Sequence, residues 1–332
     1  MSRPIKSILI KLLQTFLPLA FGLLIFWLVF RKTNFTSIME VLKTEVRFDI
    51  ILFSLPFGLI ANIIRGYRWN LLIKPLGFRP KIYNLVLAVL GNYGVNLVFP
   101  RLGEVWRCTI TTRYEKIPFT KLFGTLIVDR LADTIIVFLI VIVAFIMNIG
   151  YFKAFFIAHP EYFDVCYKIA TSVWTYLSLV LTVAIIWVIF KGFKETTIVK
   201  KIRSMFLNVW EGIRSITQMK ERFAFFLCTL GIWLGYFLYF YICFFAFDFT
   251  KDLGWKDGLI AFGMSSLAVS IPVQGSIGPW HAAVIATLMG FGISQTNAGA
   301  FAFCVHTIQQ LIFIAIISLL AIITLSIINK EK

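Results

Sequence analysis

Arginine and glutamate interrupt an otherwise apolar stretch of this sequence and could together bind an anion. Arg101, Glu104 and Arg107 are spaced three residues apart, so they would share one face of a helix. The planar guanidinium group of arginine donates two parallel hydrogen bonds to a phosphate or a carboxylate. The arginines that form the candidate phosphate site are Arg101, Arg107, Arg113 and Arg130. The alternative is an interfacial helix whose basic residues contact anionic lipid without specificity.

A second group of charges, Asp129, Arg130 and Asp133, falls within an apolar segment that predicts a membrane helix over 122–147. At a rise of about 1.5 Å per residue, this group would lie roughly 10 Å along the axis from the start of the helix. Ionisable residues at such depth usually face a polar cavity and line a substrate path. The alternative is an internally neutralised cluster that holds neighbouring helices together.

Two apolar segments are broken by glycine and proline at identical spacing. The positions are Gly91, Pro100 and Gly103 in the first segment and Gly263, Pro272 and Gly275 in the second, where Gly278 follows. Backbone groups freed by such breaks find no water in hydrocarbon, so the breaks need surrounding protein or a wet cavity. Interrupted segments at matching positions of two halves are typical of a transporter-like binding site.

The second broken segment carries neutral polar residues where the first carries charge. An offset of 176 residues aligns Arg130 with His306 and Asp133 with Gln309. The neutral candidates for the same path are Gln274, His281, His306, Gln309 and Gln310. We expect the cytoplasmic mouth of the path, which holds the arginines, to attract anions more strongly than the outer mouth. A single membrane histidine such as His306 is more often a hydrogen-bond partner than a proton relay.

Composition places the chain among helical membrane proteins. Of its 332 residues, 59% are hydrophobic and 14% are charged, and the mean hydropathy is +0.87. Apolar runs of about 18 residues or more predict transmembrane helices, and the strict alternation of a membrane β-barrel is absent. The predicted full spans are 12–30, 50–68, 122–147, 168–190, 223–247 and 297–328. These spans and short loops occupy the chain, so we expect one all-α membrane domain, 1–332, without a soluble catalytic domain.

The distribution of Lys and Arg in the loops predicts the orientation in the membrane. The basic, cytoplasmic segments are 65–81 and 191–222, and the outward-facing segments are 148–167 and 248–257. Segments 82–100 and 258–292 must then enter and leave on the same side, which makes them re-entrant hairpins of opposite sense. The resulting inverted repeat units are 50–147 and 223–328, and both termini are cytoplasmic. The basic residues of loop 31–49 argue against this orientation.

Metal, redox and nucleic-acid functions find no support in the sequence. The five cysteines are scattered through apolar segments and show no Cys-x-x-Cys or Cys/His ligand spacing, so we expect no metal and no cofactor. The net charge of +16 fits a protein with basic cytoplasmic loops on an anionic leaflet, and nucleic acid is not needed to explain it.

The two broken segments resemble those of the family named for the transmembrane region of lysylphosphatidylglycerol synthase. Residues 96–133 are similar to its signature, in which a Pro, Gly-Glu and Arg stretch precedes Ile-Pro-Phe and Glu-Arg-x-x-Asp, although Asp129 replaces the common Glu. Residues 269–294 are similar to the second block, with 274–275 replacing a twin glycine and His281 near an expected acid. The resemblance covers nearly the whole chain and implies a flippase-like membrane domain without the aminoacyl transferase.

We therefore expect a lipid translocase in a prokaryotic cytoplasmic membrane. Its substrate would be an anionic, aminoacylated or polyprenyl-phosphate lipid, moved between leaflets passively or with proton coupling. The alternatives are a membrane-embedded transferase that uses Glu104 or Asp129 as a base on a lipid-linked substrate, and a scaffold for a lipid synthase. The expected partners are the lipid and, as a candidate, a lipid-modifying enzyme. The sequence leaves the lipid, the direction and the oligomeric state open.

Overall fold

The computed structural model describes residues 18–31, 34–150, 171–192 and 220–330, with isolated residues between 153 and 168. The described residues are mainly helical, and an isolated bridge between Val46 and Phe247 is the only β-pairing among them. The helices are α1 Pro18–Phe30, α2 Phe35–Thr44, α3 Phe48–Ile73, α4 Ile82–Val98, α5 Leu102–Glu115, α6 Phe119–Met147, α7 Val173–Gly192, α8 Arg222–Tyr241, α9 Trp255–Val269, α10 Pro279–Gly290, α11 Gln295–His306 and α12 Ile314–Ile328. Residues 1–144 with 218–332 form one compact unit, and residues 145–217 form another.

Four helical segments of the described chain are long and apolar enough to cross a membrane. They are Phe48–Leu76, Phe119–Met147, Arg222–Ala246 and Gln295–Ile328. The pair α1 and α2, bent by 80°, adds a fifth if it is counted as one span. The all-α membrane prediction is thereby confirmed, and four of the predicted spans match these helices. The predicted spans 12–30 and 168–190 extend into residues outside the described part of the chain.

Small residues allow α3 and α8 to pack closely. A Cβ atom on Gly235 would lie 3.0 Å from Cβ of Ala61, and Gly58 faces the ring of Tyr239. Positions rise along α3 as they fall along α8, so the two helices run antiparallel. Glycine and alanine at a crossing let membrane helices approach at backbone distance. This approach brings the polar side chains of α3 and α8 within hydrogen-bond reach of each other.

Helices α4 and α5 form a hairpin, in which the start of α4 lies beside the end of α5. Glu115, at the end of α5, accepts hydrogen bonds from the backbone N–H of Lys81 at 3.1 Å and from the side chain of Asn84 at 2.5 Å. Near the tip of the hairpin, a Cβ atom on Gly103 would collide with the carbonyl oxygen of Asn92. The tip therefore requires glycine at position 103, because only glycine lets the two backbones approach this closely.

Helices α9 and α10 form the second hairpin, and its tip is a non-helical break over residues 270–278. Gly275 and Gly278 adopt φ values of +54° and +92°, which disfavour residues with a side chain. A Cβ atom on Gly278 would also collide with the carbonyl oxygen of Gly22. Helix α1 therefore packs directly on the break of the second hairpin.

The tips of the two hairpins meet. The Nη2 atom of Arg101 donates a hydrogen bond of 2.6 Å to the carbonyl oxygen of Ser270. A Cβ atom on Gly275 would lie 3.3 Å from the side chain of Leu97. The last carbonyl groups of a helix lack partners within the helix, so the guanidinium group of Arg101 satisfies one at the end of α9.

One order of elements occurs twice along the chain. A long helix, a hairpin and a second long helix appear as α3, α4–α5 and α6, and again as α8, α9–α10 and α11–α12. A π-helical segment, Thr307–Phe313, joins α11 to α12. Helix α12 packs antiparallel to α4, where Ser318 donates a 2.7 Å hydrogen bond to the carbonyl oxygen of Leu90 and Asn329 bonds to Asn84. The division into repeat units stays a prediction.

Candidate anion-binding site

Two arginines of α3 and two aspartates of α6 form a buried network of ion pairs. Arg68 Nη2 lies 2.6 Å from Asp129 Oδ1 and 2.7 Å from Asp133 Oδ1. Arg65 Nη1 lies 2.5 Å from Asp133 Oδ2. The arginines are three residues apart and the aspartates four, so each pair shares one helix face. All four side chains are buried, and solvent therefore screens these pairs much less than it screens surface pairs.

Neutral side chains also accept hydrogen bonds from these two arginines. Arg68 Nη1 donates to Thr229 Oγ1 at 3.2 Å, and Arg65 Nε donates to the hydroxyl oxygen of Tyr236 at 3.3 Å. The Tyr236 hydroxyl in turn donates to Asn62 Oδ1 at 2.6 Å. A buried ion pair is tolerated when its other polar atoms also find partners. Arg65 and Arg68 therefore belong to a structural network of ion pairs and neutral hydrogen bonds.

Arg107 of α5 lies beside this network in a different state. Its side chain is fully buried, and none of its three guanidinium nitrogens has a hydrogen-bond partner among the described residues. Its guanidinium carbon lies 4.3 Å from the centre of the Trp69 ring, and Nη2 lies 3.5 Å from Asp129 Oδ2. Cation–π contact and a long ion pair hold the charge in place. The N–H groups remain available to an acceptor.

Glu104 and Arg130 complete the cluster at its more accessible edge. Arg130 Nε lies 2.8 Å from Glu104 Oε1, and Arg130 Nη1 lies 3.7 Å from Asp133 Oδ2. Both side chains are only partly buried. The members of the cluster are the four arginines Arg65, Arg68, Arg107 and Arg130 and the three acids Glu104, Asp129 and Asp133. With every member ionised, the cluster carries one positive charge in excess.

The cluster suits an anion better than a cation. Arginine stays protonated in proteins and supplies donors only, so the surplus charge and the bare N–H groups of Arg107 both call for an acceptor. Among the described residues, no group of three or more His, Cys, Asp or Glu side chains is placed to hold a metal ion.

The structure brings some of the predicted residues together and separates others. The predicted residues within the cluster are Glu104, Arg107, Asp129, Arg130 and Asp133. Arg101 instead reaches Ser270 where the hairpin tips meet. Arg113 is exposed at the far end of α5, where it contacts the ring of Tyr114 and lines a cavity of about 370 Å³.

Sequence reasoning missed Arg65 and Arg68. Both follow an apolar run and were counted among the cytoplasmic loop charges of segment 65–81. The structure continues α3 to Ile73 and buries both side chains. The available signal was their three-residue spacing, which places them on one helix face and suits a pair of acids four residues apart.

The neutral candidates of the second half fall into two places. His281, His306 and Gln274 lie at the break of the second hairpin and are buried. The His306 Nε2 atom lies 2.8 Å from the carbonyl oxygen of Gly275, and the two imidazole centres are 4.3 Å apart. The predicted residues at the break therefore supply imidazole and amide groups, and none of them supplies a carboxylate.

Gln309 lies in the π-helical segment that follows α11. Its Nε2 atom donates hydrogen bonds to the carbonyl oxygen of Tyr239 at 2.6 Å and to Ser54 Oγ at 2.8 Å. The next residue, Gln310, is half-buried. A π-turn shifts side chains from their α-helical positions and is frequent at functional sites. Gln309 thus joins α12 to α8 and α3, away from the histidine pair.

Two comparisons with known proteins match this chain. The family model of the lysylphosphatidylglycerol synthase TM region matches residues 15–318. A UPF0104 membrane protein of Methanocaldococcus jannaschii is 26% identical over 195 residues, which cover 58% of this chain and 54% of that protein. The matched region thus spans about half the length of this relative. No solved structure matches the chain.

Proposed function

Because the chain belongs to the lysylphosphatidylglycerol synthase TM region family, we propose that it translocates an anionic lipid between the leaflets of a membrane. Family membership confirms the resemblance predicted from the two broken segments. It also makes the chain a multi-pass membrane protein, in agreement with its four long apolar helices. The proposed substrates are an anionic phospholipid, an aminoacylated lipid or a polyprenyl-phosphate lipid, which share a phosphate group.

The observation that carries this proposal is the buried guanidinium group of Arg107, which has no hydrogen-bond partner among the described residues. A buried polar group without a hydrogen bond costs about 1–3 kcal/mol, and more when it is charged. A phosphate oxygen is the acceptor that the planar fork of arginine fits best. A lipid phosphate that reached Arg107 would restore the missing hydrogen bonds.

The charge of the cluster supports a singly charged ligand. One positive charge remains when Asp129, Asp133 and Glu104 have balanced three of the four arginines. A phosphodiester carries one negative charge and would bring the total to zero. The exposed edge at Arg130 and Glu104 is the side from which we propose that the headgroup approaches.

The repeated order of elements supports a path that crosses the membrane. We propose that units 50–147 and 223–328 are inverted repeats, since their first helices, α3 and α8, pack antiparallel. The two hairpins would then enter from opposite leaflets and meet at the contact of Arg101 with Ser270. Broken helices that meet near the middle of a membrane form the substrate sites of several transporter folds.

The proposed location is a prokaryotic cytoplasmic membrane with six spans and both termini in the cytoplasm. The burial of Arg65 and Arg68 removes two charges from the basic loop that favoured this orientation. Lys74, Arg79 and Lys81 remain in that loop and still favour the cytoplasmic side.

The alternative of a membrane-embedded transferase is less well supported. Its candidate bases are Glu104 and Asp129, and each of them lies in an ion pair with arginine at 2.8 Å or less. Each carboxylate would have to leave its arginine partner before it could accept a proton from a substrate. A translocase uses the same charges without any proton transfer to or from a carboxylate.

Lipid scrambling by purified protein in proteoliposomes tests the proposal. The probes are phosphatidylglycerol and phosphatidylcholine that carry the same fluorophore on one acyl chain. Chemical quenching of the fluorophore in the outer leaflet measures how fast each lipid crosses the bilayer. We expect the wild type to move phosphatidylglycerol and the variant Arg107→Gln to lose about tenfold or more of this rate, which corresponds to about 1.4 kcal/mol. Arg107→Gln should remain folded because it leaves three arginines opposite three acids.

Arg113→Gln is the matched control. It makes the same change six residues later on the same helix, at an exposed position outside the cluster. Its transport rate should equal that of the wild type. A folded Arg107→Gln protein that transports at the wild-type rate would exclude the headgroup site, and product formation from a lipid-linked donor without scrambling would favour the transferase.

A further inference from the structure

Two neighbouring histidines contact the backbone of the break of the second hairpin. The ring of His306, at the end of α11, reaches the carbonyl oxygen of Gly275 through Nε2 at 2.8 Å. The ring of His281, in the first turn of α10, lies 3.4 Å through Nδ1 from the backbone nitrogen of Gly278. Both side chains are buried, and their ring centres are 4.3 Å apart. The pair therefore contacts the break at both of its left-handed glycines.

These backbone partners fix the protonation of both neutral rings. A carbonyl oxygen can only accept a hydrogen bond, so Nε2 of His306 carries the proton and its Nδ1 is bare. A backbone N–H of Gly278 can only donate, so Nδ1 of His281 is the acceptor and is also bare. The Nδ1 atom of His306 is buried and has no hydrogen-bond partner among the described residues. The pair thus offers two basic nitrogens inside the protein.

Among the described residues, the neighbours of the two rings give no counter-charge to a protonated imidazole. Helix α1 contributes Phe26 and Phe30, whose ring centres lie 5.1 and 5.8 Å from that of His281. Trp280 of α10 lies 5.2 Å from His306, and the break contributes the backbone of Gly275 and Gly278. In this described environment, the titratable group that faces each imidazole is the other imidazole.

Protonation is incompatible with the observed conformation of the break. A proton on Nδ1 of His281 would face the N–H of Gly278, so two donors would meet and the hydrogen bond would be lost. A proton on Nδ1 of His306 would create a buried charge with an unsatisfied N–H group. Two protonated rings 4.3 Å apart would also repel each other, so the pair can accept one proton at most.

We propose that His281 and His306 form a binding site for one proton and that proton binding opens the break of the second hairpin. Opening admits water, which solvates the imidazolium and supplies the missing acceptors. The closed break then binds no proton and the open break binds one, so lower pH favours the open state. The proton site does not depend on the proposed lipid transport. Only its use in coupling proton binding to transport rests on that function.

Hydrogen–deuterium exchange of the full-length protein in detergent tests this proposal. The readout is the protection of backbone amides in 270–278, measured between about pH 7.5 and about pH 5.5 and corrected for the intrinsic pH dependence of exchange. Residues 105–115 of α5 contain no histidine, exclude the hairpin tip that contacts the break, and serve as the internal control in the same sample. We expect protection in 270–278 to fall by up to about tenfold per pH unit, the limit for one proton, and protection in 105–115 to stay constant.

A double variant isolates the histidines from other effects of acid. His306→Gln keeps an amide donor for Gly275, and His281→Asn keeps an acceptor for Gly278, and neither side chain titrates. This variant should show constant protection in 270–278 over the same range. A wild type with pH-independent protection, or a folded double variant with the same pH response as the wild type, would overturn the proton site.

Transport measured on the same preparations separates this inference from the proposed function. A pH-dependent break without lipid scrambling would leave the proton site intact and exclude the translocase. Normal scrambling with pH-independent protection of the break would exclude the proton site and leave the translocase proposal intact.

Discussion

Two contacts between long helices, one in each half of the sequence, use different chemistry. In the first half, Asp133 of α6 pairs with Arg65 of α3 at 2.5 Å. In the second half, Gln309 lies 176 positions after Asp133, and Tyr239 lies 174 positions after Arg65. Gln309 and Tyr239 contact each other through two neutral hydrogen bonds of 2.6 and 2.9 Å. One contact therefore depends on charge and the other does not.

This difference would separate two tasks of the proposed lipid path. Arginine stays protonated at any physiological pH, so the first half holds a permanent positive charge. The second half contains imidazole and amide groups, whose hydrogen bonds change with protonation or rotamer. A buried charge that loses its partner also destabilises the folded protein more than a lost neutral hydrogen bond does. Substitutions in the first half should accordingly have the larger effects.

The largest effect is expected from Asp129→Ala. This change removes the carboxylate that lies 2.6 Å from Arg68 and 3.5 Å from Arg107, and it leaves four arginines opposite two acids. Removing one partner of a buried ion pair costs about 3–5 kcal/mol. We expect little folded protein, or a strongly lowered midpoint of thermal unfolding in detergent, followed by fluorescence-detected size-exclusion chromatography.

Asp248→Ala provides the control for that experiment. Asp248 also pairs with a basic residue, Lys251 at 2.7 Å, but both side chains are exposed. Water screens such a pair, so its loss should leave the unfolding midpoint unchanged. Equal midpoints for Asp129→Ala and the wild type would contradict the assignment of the first half as a charge-dependent core.

A smaller effect is expected from Gln309→Ala in the second half. The change removes the donor to the carbonyl oxygen of Tyr239 and to Ser54, and leaves neutral groups unpaired. The cost should be about 1–3 kcal/mol, below that of Asp129→Ala. Unfolding midpoints of the two variants, measured side by side, test the ranking. Gln310→Ala, at the half-buried neighbouring position, should change the midpoint less, and a reversed ranking of Gln309 and Asp129 would refute the comparison.

The sequence was sufficient to predict the helical breaks and four of the spans. Identical spacing of Gly91, Pro100 and Gly103 with Gly263, Pro272 and Gly275 pointed to two interrupted segments, and both contain a break between two helices. The bounds of the first hairpin were wrong, because Ile82–Val98 is a single helix and the hairpin extends to residue 115. The long apolar runs predicted the long helices because hydrophobicity and length alone define such segments. Hydrophobicity and length do not specify how deep a polar side chain lies, which residues it contacts or how the helices pack.

The composition of the charged cluster could be predicted only in part. Asp129 and Asp133 stood out because they interrupt an apolar run, whereas Arg65 and Arg68 follow the end of one. An arginine at a helix end has the same sequence pattern whether it snorkels to water or turns inward to an acid. The structure also shows Arg101 bound to Ser270, which lies 169 residues away. A contact of that separation depends on how the two hairpins meet.

Within the charged cluster, the smallest effect on stability is expected from Arg130→Lys, which also tests which face of the cluster meets the lipid. Arg130 is 34% exposed at its side chain and pairs with Glu104 at 2.8 Å, outside the fully buried pairs of Arg68. Lysine keeps the charge and a single ion pair, so stability should change by no more than about 1 kcal/mol. It loses the planar fork, however, and a phosphate held by that fork would lose one charge-assisted hydrogen bond. We therefore expect a nearly unchanged unfolding midpoint and an approximately tenfold lower rate of phosphatidylglycerol scrambling, the effect of about 1.4 kcal/mol. A large drop in the midpoint with full activity in the folded fraction would instead make Arg130 a structural residue. Normal stability with undiminished transport would remove Arg130 from the headgroup site and leave Arg107 as its proposed centre.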